Sequence, residues 1–304
     1  MILENVFHSD VHNREIVPMD ERSFPYVCIH TELDRYADGT IPWHWHTAFE
    51  IEYLAQGRME LHTPERVLTL EQGDAVFLNS GVLHQVKAVG EEPCTLYAQI
   101  FDMHFLTGMY HSVFEEKYVL PVMRSASFQV WRVRPTDLRG IQTIQPVLQA
   151  IQAARSEHEG YEFDLRTQLS VFWRLMLGQT QEELSSGPMK NAADLDRIKT
   201  MMDFVQANCK EHLTLEDIAQ SASISVRECT RCFRRCIDLS PIEYVVQCRV
   251  RLAARLLLET GKSMLEISEE SGFSSASYFG KVFRQSMGCT PKEYRKANGQ
   301  IMIE

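Results

Sequence analysis

The apolar positions of this chain change their period at about residue 136. Before it, from about 24 to 100, apolar and polar residues alternate in short β-rich runs: YVCIH, FEIEYLA, RMELHT, RVLTL, DAVFLN, HQVKAV and CTLYAQIF. Turn material separates them (DGT, AQG, TPE, EQGD, NSG), a pattern that predicts an antiparallel sandwich or barrel. After it, Leu138, Ile141, Ile144, Leu148 and Ile151 recur at steps of three and four, as one face of a helix does. A break at Gly160 precedes a second helix carrying Leu165, Leu169, Phe172 and Met176. The two helices, within 136–184, are expected either to dimerise or to pack on the barrel. The stretch 185–194, SSGPMKNAAD, is small and polar and reads as a linker.

From Leu195 onward the pattern is one of short capped helices. Capping boxes stand at Thr214/Asp217, Ser225/Glu228, Ser240/Glu243, Ser263/Glu266 and Thr290/Glu293, and Pro241 and Pro291 occupy first helical positions. This region repeats itself. Thr214, Ile218 and Ile224 match Ser263, Ile267 and Phe273 at an offset of 49, and Phe233, Ser240, Pro241, Glu243 and Tyr244 match Phe283, Thr290, Pro291, Glu293 and Tyr294 at 50. Each copy is a capped helix, a tight turn and a second capped helix, which is the plan of a helix-turn-helix whose second helix enters the major groove.

Charge separates the same two regions. Residues 190–304 hold 17 Lys and Arg against 15 Asp and Glu, whereas residues 1–189 hold 14 against 26, so the net charge of −10 belongs to the N-terminal part. Ten of the eleven histidines lie there too. Eight cysteines include a C-x2-C-x3-C at Cys229, Cys232 and Cys236, whose offsets define one helix face; core packing is expected there rather than metal. No stretch approaches the ~20 apolar residues of a membrane span, and no secretory signal opens the chain, so a cytoplasmic protein is expected.

The first recognition helix places Arg227, Thr230 and Arg231 on one face, opposite Cys229, Cys232 and Phe233. Arginines there can bond guanine edges bidentately, while Arg234 and Arg235 suit phosphates. The second offers Ser275, Ser277, Gly280 and Lys281, with Arg284 toward a phosphate. With LTLEDIAQ, LSPIEYVVQCRVRLAARLLLETGKS and EISEESGFSSASYFGKVFRQSMGCTPKEYRK, residues 195–297 resemble the DNA-binding domain of AraC/XylS-type regulators. The resemblance implies two subdomains joined by a long helix over about 241–259, with both recognition helices on one face of double-stranded operator DNA. It also implies an activator and a homodimer, with RNA polymerase as a further partner. Ala276 and Gly280 depart from the recognition-helix pattern and put base reading by the second helix in question.

In the first region, GTIPWHWHTAFEIEYLAQG and GDAVFLNSGVLH resemble the two cupin motifs. Mapped onto this chain the motif residues are His44, His46, Glu50 and His84, with Asn79 where a proline is usual. His44, His46 and Glu50 share parity and are expected on one face of a strand. With Trp43, Trp45 and Tyr53 they would form an effector pocket suited to a carbohydrate or another small polar metabolite. The same four residues, His44, His46, Glu50 and His84, could bind a divalent transition metal, although the resemblance implies that sensing barrels of this kind need no cofactor.

The expected architecture is a multidomain α+β chain. A cupin-like β-barrel occupies 1–135, a helical element 136–184, a linker 185–194, and an all-α double helix-turn-helix domain 195–297. No nucleophile elbow, phosphate loop or dinucleotide fingerprint appears, so a ligand-responsive, non-enzymatic regulator is the expected function. The alternatives are a metal-sensing regulator and a metal-dependent cupin enzyme fused to a DNA-binding domain.

Overall fold

The computed structural model describes residues 2–7, 17, 24–109, 111–125, 127–184 and 192–298, which fall into two compact units, one running to Ala192 and one from Ala193. Of the expected linker, 185–191 lies outside the described residues, and 192–194 already opens a helix.

Among the described residues the first unit has ten strands: β1 (Ile2–Glu4), β2 (Tyr26–Glu32), β3 (Thr40–His44), β4 (Phe49–Gln56), β5 (Arg58–His62), β6 (Val67–Glu71), β7 (Ala75–Leu78), β8 (His84–Ala88), β9 (Thr95–Phe101) and β10 (Val130–Val133). One sheet has the order β1-β2-β9-β4-β7-β10 and the other β3-β8-β5-β6. All neighbours are antiparallel except β1 and β2.

Alternation along β4 assigns its two faces. Leu54, two and four positions beyond Glu52 and Glu50, packs in the barrel interior with Val76, Leu78, Ala98 and Ile100. Phe49 and Ile51 point the other way, into a second core under the helices. Those helices are α1 (Met103–Thr107), α2 (Leu120–Met123, after a π-helical turn at Glu115–Val119), α3 (Leu138–Ser156), α4 (Tyr161–Gln179) and α5 (Gln181–Leu184).

Helix α4 turns Leu165, Leu169, Phe172 and Met176 fully inward, against Phe49 and Phe77 among others. Burying each such side chain contributes ~1.5–3 kcal/mol. The apolar stripe expected on α3 divides instead. Ile144 and Ile151 join Val147 and Ala154 in the buried row, while Leu138, Ile141 and Leu148 face outward. Residues at 144, 147, 151 and 154 already make a complete three-and-four stripe, so the other three fall on a neighbouring face.

The second unit is all helix: α6 (Ala192–Asn208), α7 (Leu215–Ser221), α8 (Val226–Ile237), α9 (Pro241–Glu259), α10 (Met264–Glu270), α11 (Ala276–Met287) and α12 (Pro291–Asn298). Reciprocal capping boxes start α7, α9 and α10, and the Thr290 and Glu293 side chains exchange the same two bonds at α12. At α8 the expected box is half made. The Ser225 hydroxyl accepts from the Glu228 N–H at 3.2 Å, but the Glu228 carboxylate turns to Arg231 at 2.6 Å. A guanidinium one turn along outcompetes a single backbone N–H.

Cys229, Cys232 and Cys236 are buried between these helices, as core packing requires. Val250, Ala253, Ala254 and Leu257 of α9 form a second core with Ile267, Phe273, Phe279 and Phe283. No helix of the described residues is long and apolar enough to cross a membrane.

Candidate effector site and nucleic-acid interface

Inside the barrel His44, His46 and Glu50 converge, but not along one strand. His44 ends β3 and pairs across to His84 of β8, in the four-stranded sheet. His46 lies in the turn that follows, and Glu50 belongs to β4 in the other sheet. The turn at 45–48 carries the chain from one sheet to the other, so shared parity did not mean a shared strand. His44, His46, Glu50 and His84 are all at most 4 % exposed.

Each imidazole is oriented by a main-chain carbonyl. His44 Nδ1 lies 2.7 Å from the Pro42 oxygen, His46 Nδ1 3.1 Å from that of Ala48, and His84 Nδ1 2.9 Å from that of Val82. A carbonyl only accepts, so the proton of each neutral ring sits on Nδ1. His46 Nε2 then faces Glu50 Oε2 at 3.0 Å and His84 Nε2 faces it at 3.4 Å. Burial alone would raise the Glu50 carboxyl, but these two imidazoles override it and hold the group well below the usual carboxylate range. Burial, with His84 beside it at 4.0 Å between ring centroids, pushes His44 the other way, toward the neutral form.

This donor set fits a divalent transition ion. Ligand atoms of His46, Glu50 and His84 all lie within 4.8 Å of one another, and the buried His84 Nε2 has Glu50 Oε2 beside it at 3.4 Å. Nδ1 donors fixed to carbonyls are how metal-binding imidazoles are commonly held. His44 lies outside that three-residue group.

Against the cluster is a cavity of about 20 Å³, walled by His44, Glu50, Glu52, Thr31 and, from the N-terminal segment, Val6 and Phe7. Phe7 meets the His44 ring edge-on at 4.8 Å. Such a space admits about one water molecule. Glu52, 2 % exposed, is a second interior carboxylate that the motif reading passed over. Its signal was the alternation itself, since it stands two residues after Glu50. Tyr53 is a correction in the opposite sense. Its parity is that of Phe49 and Ile51, and it packs under the helices beside Trp131 instead of in the pocket. Trp43 is buried and Trp45 half-buried, and neither is among the cavity's lining residues.

In the second unit Arg227, Arg231, Arg234 and Arg235 are all exposed along α8. Three already hold carboxylates: Arg231 with Glu228, Arg234 with Glu243 at 3.0 Å, and Arg235 with Asp194. Arg227 makes no ion pair among the described residues. Thr230 is half-buried and its hydroxyl donates to the Val226 carbonyl at 3.0 Å. On α11 Ser277, Lys281 and Arg284 are exposed, whereas the Ser275 hydroxyl is engaged as the N-cap, accepting from the Tyr278 N–H at 3.2 Å. Gly280 opens a groove lined by Lys281, Arg284 and Lys292.

A helix-turn-helix domain model matches residues 218–297, and a cupin domain model matches residues 35–100. The chain is 29 % identical over 298 residues to the uncharacterized HTH-type transcriptional regulator YdeC of Bacillus subtilis (strain 168), covering 96 % of this chain and 99 % of that one. It is 24 % identical to the melibiose operon regulatory protein of Escherichia coli (strain K12), covering 84 % of each. Among solved structures, an AraC-type DNA-binding domain from Chromobacterium violaceum is 31 % identical over 36 % of this chain and 98 % of that one, with a TM-score of 0.35. The chain thus carries an AraC-type helix-turn-helix DNA-binding domain behind an effector-binding cupin domain, and along its whole length it is similar to HTH-type transcriptional regulators.

Proposed function

We propose that this regulator is an activator, and that its effector is a small polar molecule, a carbohydrate by preference, bound inside the barrel. The observation that carries the reading is the interior wall formed by Glu50, Glu52, His44 and Thr31, all buried around one cavity; since that cavity holds only about one water, the effector enters in this reading by displacing Val6 and Phe7, which close it. Carboxylates and imidazoles offer the acceptors and donors that hydroxyl groups need, inside an otherwise apolar barrel. The likeness to a melibiose operon regulator supports the carbohydrate choice, and the AraC/XylS likeness supports activation. The protein works as a homodimer in this reading, with the outward Leu138, Ile141 and Leu148 of α3 as the contact, and RNA polymerase as its partner at the promoter.

The experiment is a sugar screen read by tryptophan fluorescence, followed by DNA retardation on a duplex selected from a random pool. An effector must change DNA affinity, because it can shift an equilibrium only through different affinities for the two states. A sugar that binds without altering DNA affinity overturns the effector role.

A second reading has its own observation: three imidazoles with Nδ1 fixed on carbonyls, two of them facing Glu50. There the signal is a divalent transition metal held by His46, Glu50 and His84. Elemental analysis of the tag-free protein beside a His46→Ala/His84→Ala variant decides it. About one equivalent, lost in the variant, favours the metal; none in either leaves the hydrogen-bonding pocket.

A further inference from the structure

The two turns of the repeat differ at one position in a way that backbone conformation does not explain. Ser223 in the first and Gly272 in the second are equivalent, 49 residues apart. Both lie in the left-handed region, at φ 55° and 79°. Ser223 carries a side chain there and is exposed, so the turn itself does not demand glycine. What demands it is space. A Cβ on Gly272 would stand 2.6 Å from the Cys209 carbonyl oxygen and 2.7 Å from that of Lys210, closer than Cβ atoms approach backbone.

Those carbonyls belong to the other half of the DNA-binding unit. They follow the end of α6, which is tied to α8 of the first helix-turn-helix by Asp194 with Arg235 and to the first turn of α9 by Gln206, whose amide donates to the Tyr244 hydroxyl. Gly272 belongs to the second helix-turn-helix, whose core includes Phe273, Phe279 and Phe283. The same run of carbonyls is gripped from the connecting helix. Arg249 of α9 donates through Nε to the Cys209 oxygen at 2.7 Å and through a terminal nitrogen to that of Glu211 at 2.8 Å. A guanidinium here satisfies carbonyls that a helix end leaves without intrahelical partners.

A single connecting helix leaves its two ends free to twist and bend relative to one another. A second contact away from its axis removes that freedom. We propose that the Gly272 contact on Cys209 and Lys210, braced by Arg249, sets the offset between recognition helices α8 and α11, and so determines which half-site spacing the protein accepts. Gly272 and Arg249 are positioning residues and touch no base. Successive major grooves lie about one helical turn apart, 34–36 Å, so a small change in this offset is read as a change in preferred spacing.

The test uses the full chain and a duplex obtained by selection from a random pool, remade with one base pair inserted or deleted between its half-sites. The wild type is expected to lose about tenfold or more in affinity on either change. Gly272→Ser, which copies the side chain found at 223, is expected to shift or flatten that spacing profile while base preference within each half-site stays the same. Arg249→Gln is expected to flatten it in the same way, and decides the matter if the first variant does not fold. Ser223→Gly serves as the control and keeps the wild-type profile. The proposal is overturned if the folded variants keep the wild-type profile, including the case where affinity falls equally on every duplex, since that is a stability effect without positioning.

Discussion

His46 Nε2 stands 3.0 Å from Glu50 Oε2 while the Nδ1 of the same ring is committed to the Ala48 carbonyl. Two lone pairs do not face each other at that distance in a buried site, so Glu50 and the imidazole share a proton or a metal ion, and residue 50 decides what the cluster can hold.

Glu50→Gln is expected to leave the barrel within about 1 kcal/mol of the wild type, because the amide N–H can donate to either imidazole Nε2. Glu50→Ala leaves His46 and His84 without that partner and opens a void, and is expected to cost about 2–4 kcal/mol. Urea unfolding followed by tryptophan fluorescence reads this in the intact chain, since Trp43, Trp45, Trp131 and Trp173 all lie in the first unit. Equal losses in the two variants would show that the cluster packs by shape alone.

The arginines of α8 divide by what they hold in the free protein. Arg227→Ala is expected to lower specific affinity by about 1–3 kcal/mol and to relax base preference at one position, because Arg227 is exposed and without an ion pair among the described residues. Arg234→Ala is expected to weaken binding on every sequence alike and to reduce the salt slope by about one. Retardation assays across a salt series, with specific and scrambled duplexes, separate the two. Identical salt slopes in both variants would contradict the division. Glu228→Gln, which releases Arg231, is expected to raise non-specific affinity.

The capping boxes make the DNA-binding unit sensitive to acid. At α9 the Ser240 backbone and hydroxyl, and then the charge of Arg234, hold the Glu243 carboxyl below its ordinary value. A depressed carboxylate contributes stability above its unfolded pKa, about 4.3, and that contribution is lost as pH falls through the folded value. Glu243→Gln is therefore expected to unfold earlier than the wild type at pH 7, with the gap closing below about pH 4. Thermal unfolding followed by helical circular dichroism checks it. A gap independent of pH would mean that the carboxylate charge contributes nothing. Ser240→Ala, which removes the other half of the box, is expected to cost about 1 kcal/mol at neutral pH.

The helical half of the molecule was legible because its signals are local. Ser, Thr and Glu at cap spacing mark where α7, α9, α10 and α12 begin, and the repeat fixes their order. The seven strand runs were legible for the same reason. What alternation alone could not carry was the path between strands. The turn at 45–48 moves Glu50 to a different sheet from His44, and the segment 103–123, with α1, the π-helical turn and α2, has no periodic signature. The interior set was half read. Its motif residues were visible, Glu52 was hidden behind the motif, and Tyr53 was drawn into the pocket by its chemistry although its parity pointed outward. The tight turn of the second copy was visible; the contact of its Gly272 with the end of α6 is tertiary and leaves no trace in spacing.

Asn79 stands where the cupin-like motif would have proline, and the structure supplies the reason. Its buried amide nitrogen donates to the carbonyls of Val122 at 2.7 Å and Phe128 at 2.8 Å, its oxygen accepts from the Ser80 N–H, and its own N–H donates to the Gln129 carbonyl. A proline has neither the amide side chain nor the N–H, so it could not tie the end of β7 to α2 and to the segment between α2 and β10. Asn79→Ala leaves two carbonyls beside it without that donor and is expected to cost about 2–4 kcal/mol. Asn79→Pro also removes the backbone donor and is expected to cost more. Asn79→Asp keeps the acceptor for Ser80 but places a carboxylate against two carbonyls, and is expected to be the worst of the three at neutral pH and to recover in part on acidification, when the protonated acid can donate again. Urea titrations at pH 7 and pH 5, followed through the same tryptophans, give the ranking. An Asp variant as stable as the Ala variant at both pH values would show that the carbonyls of Val122 and Phe128 do not depend on this side chain.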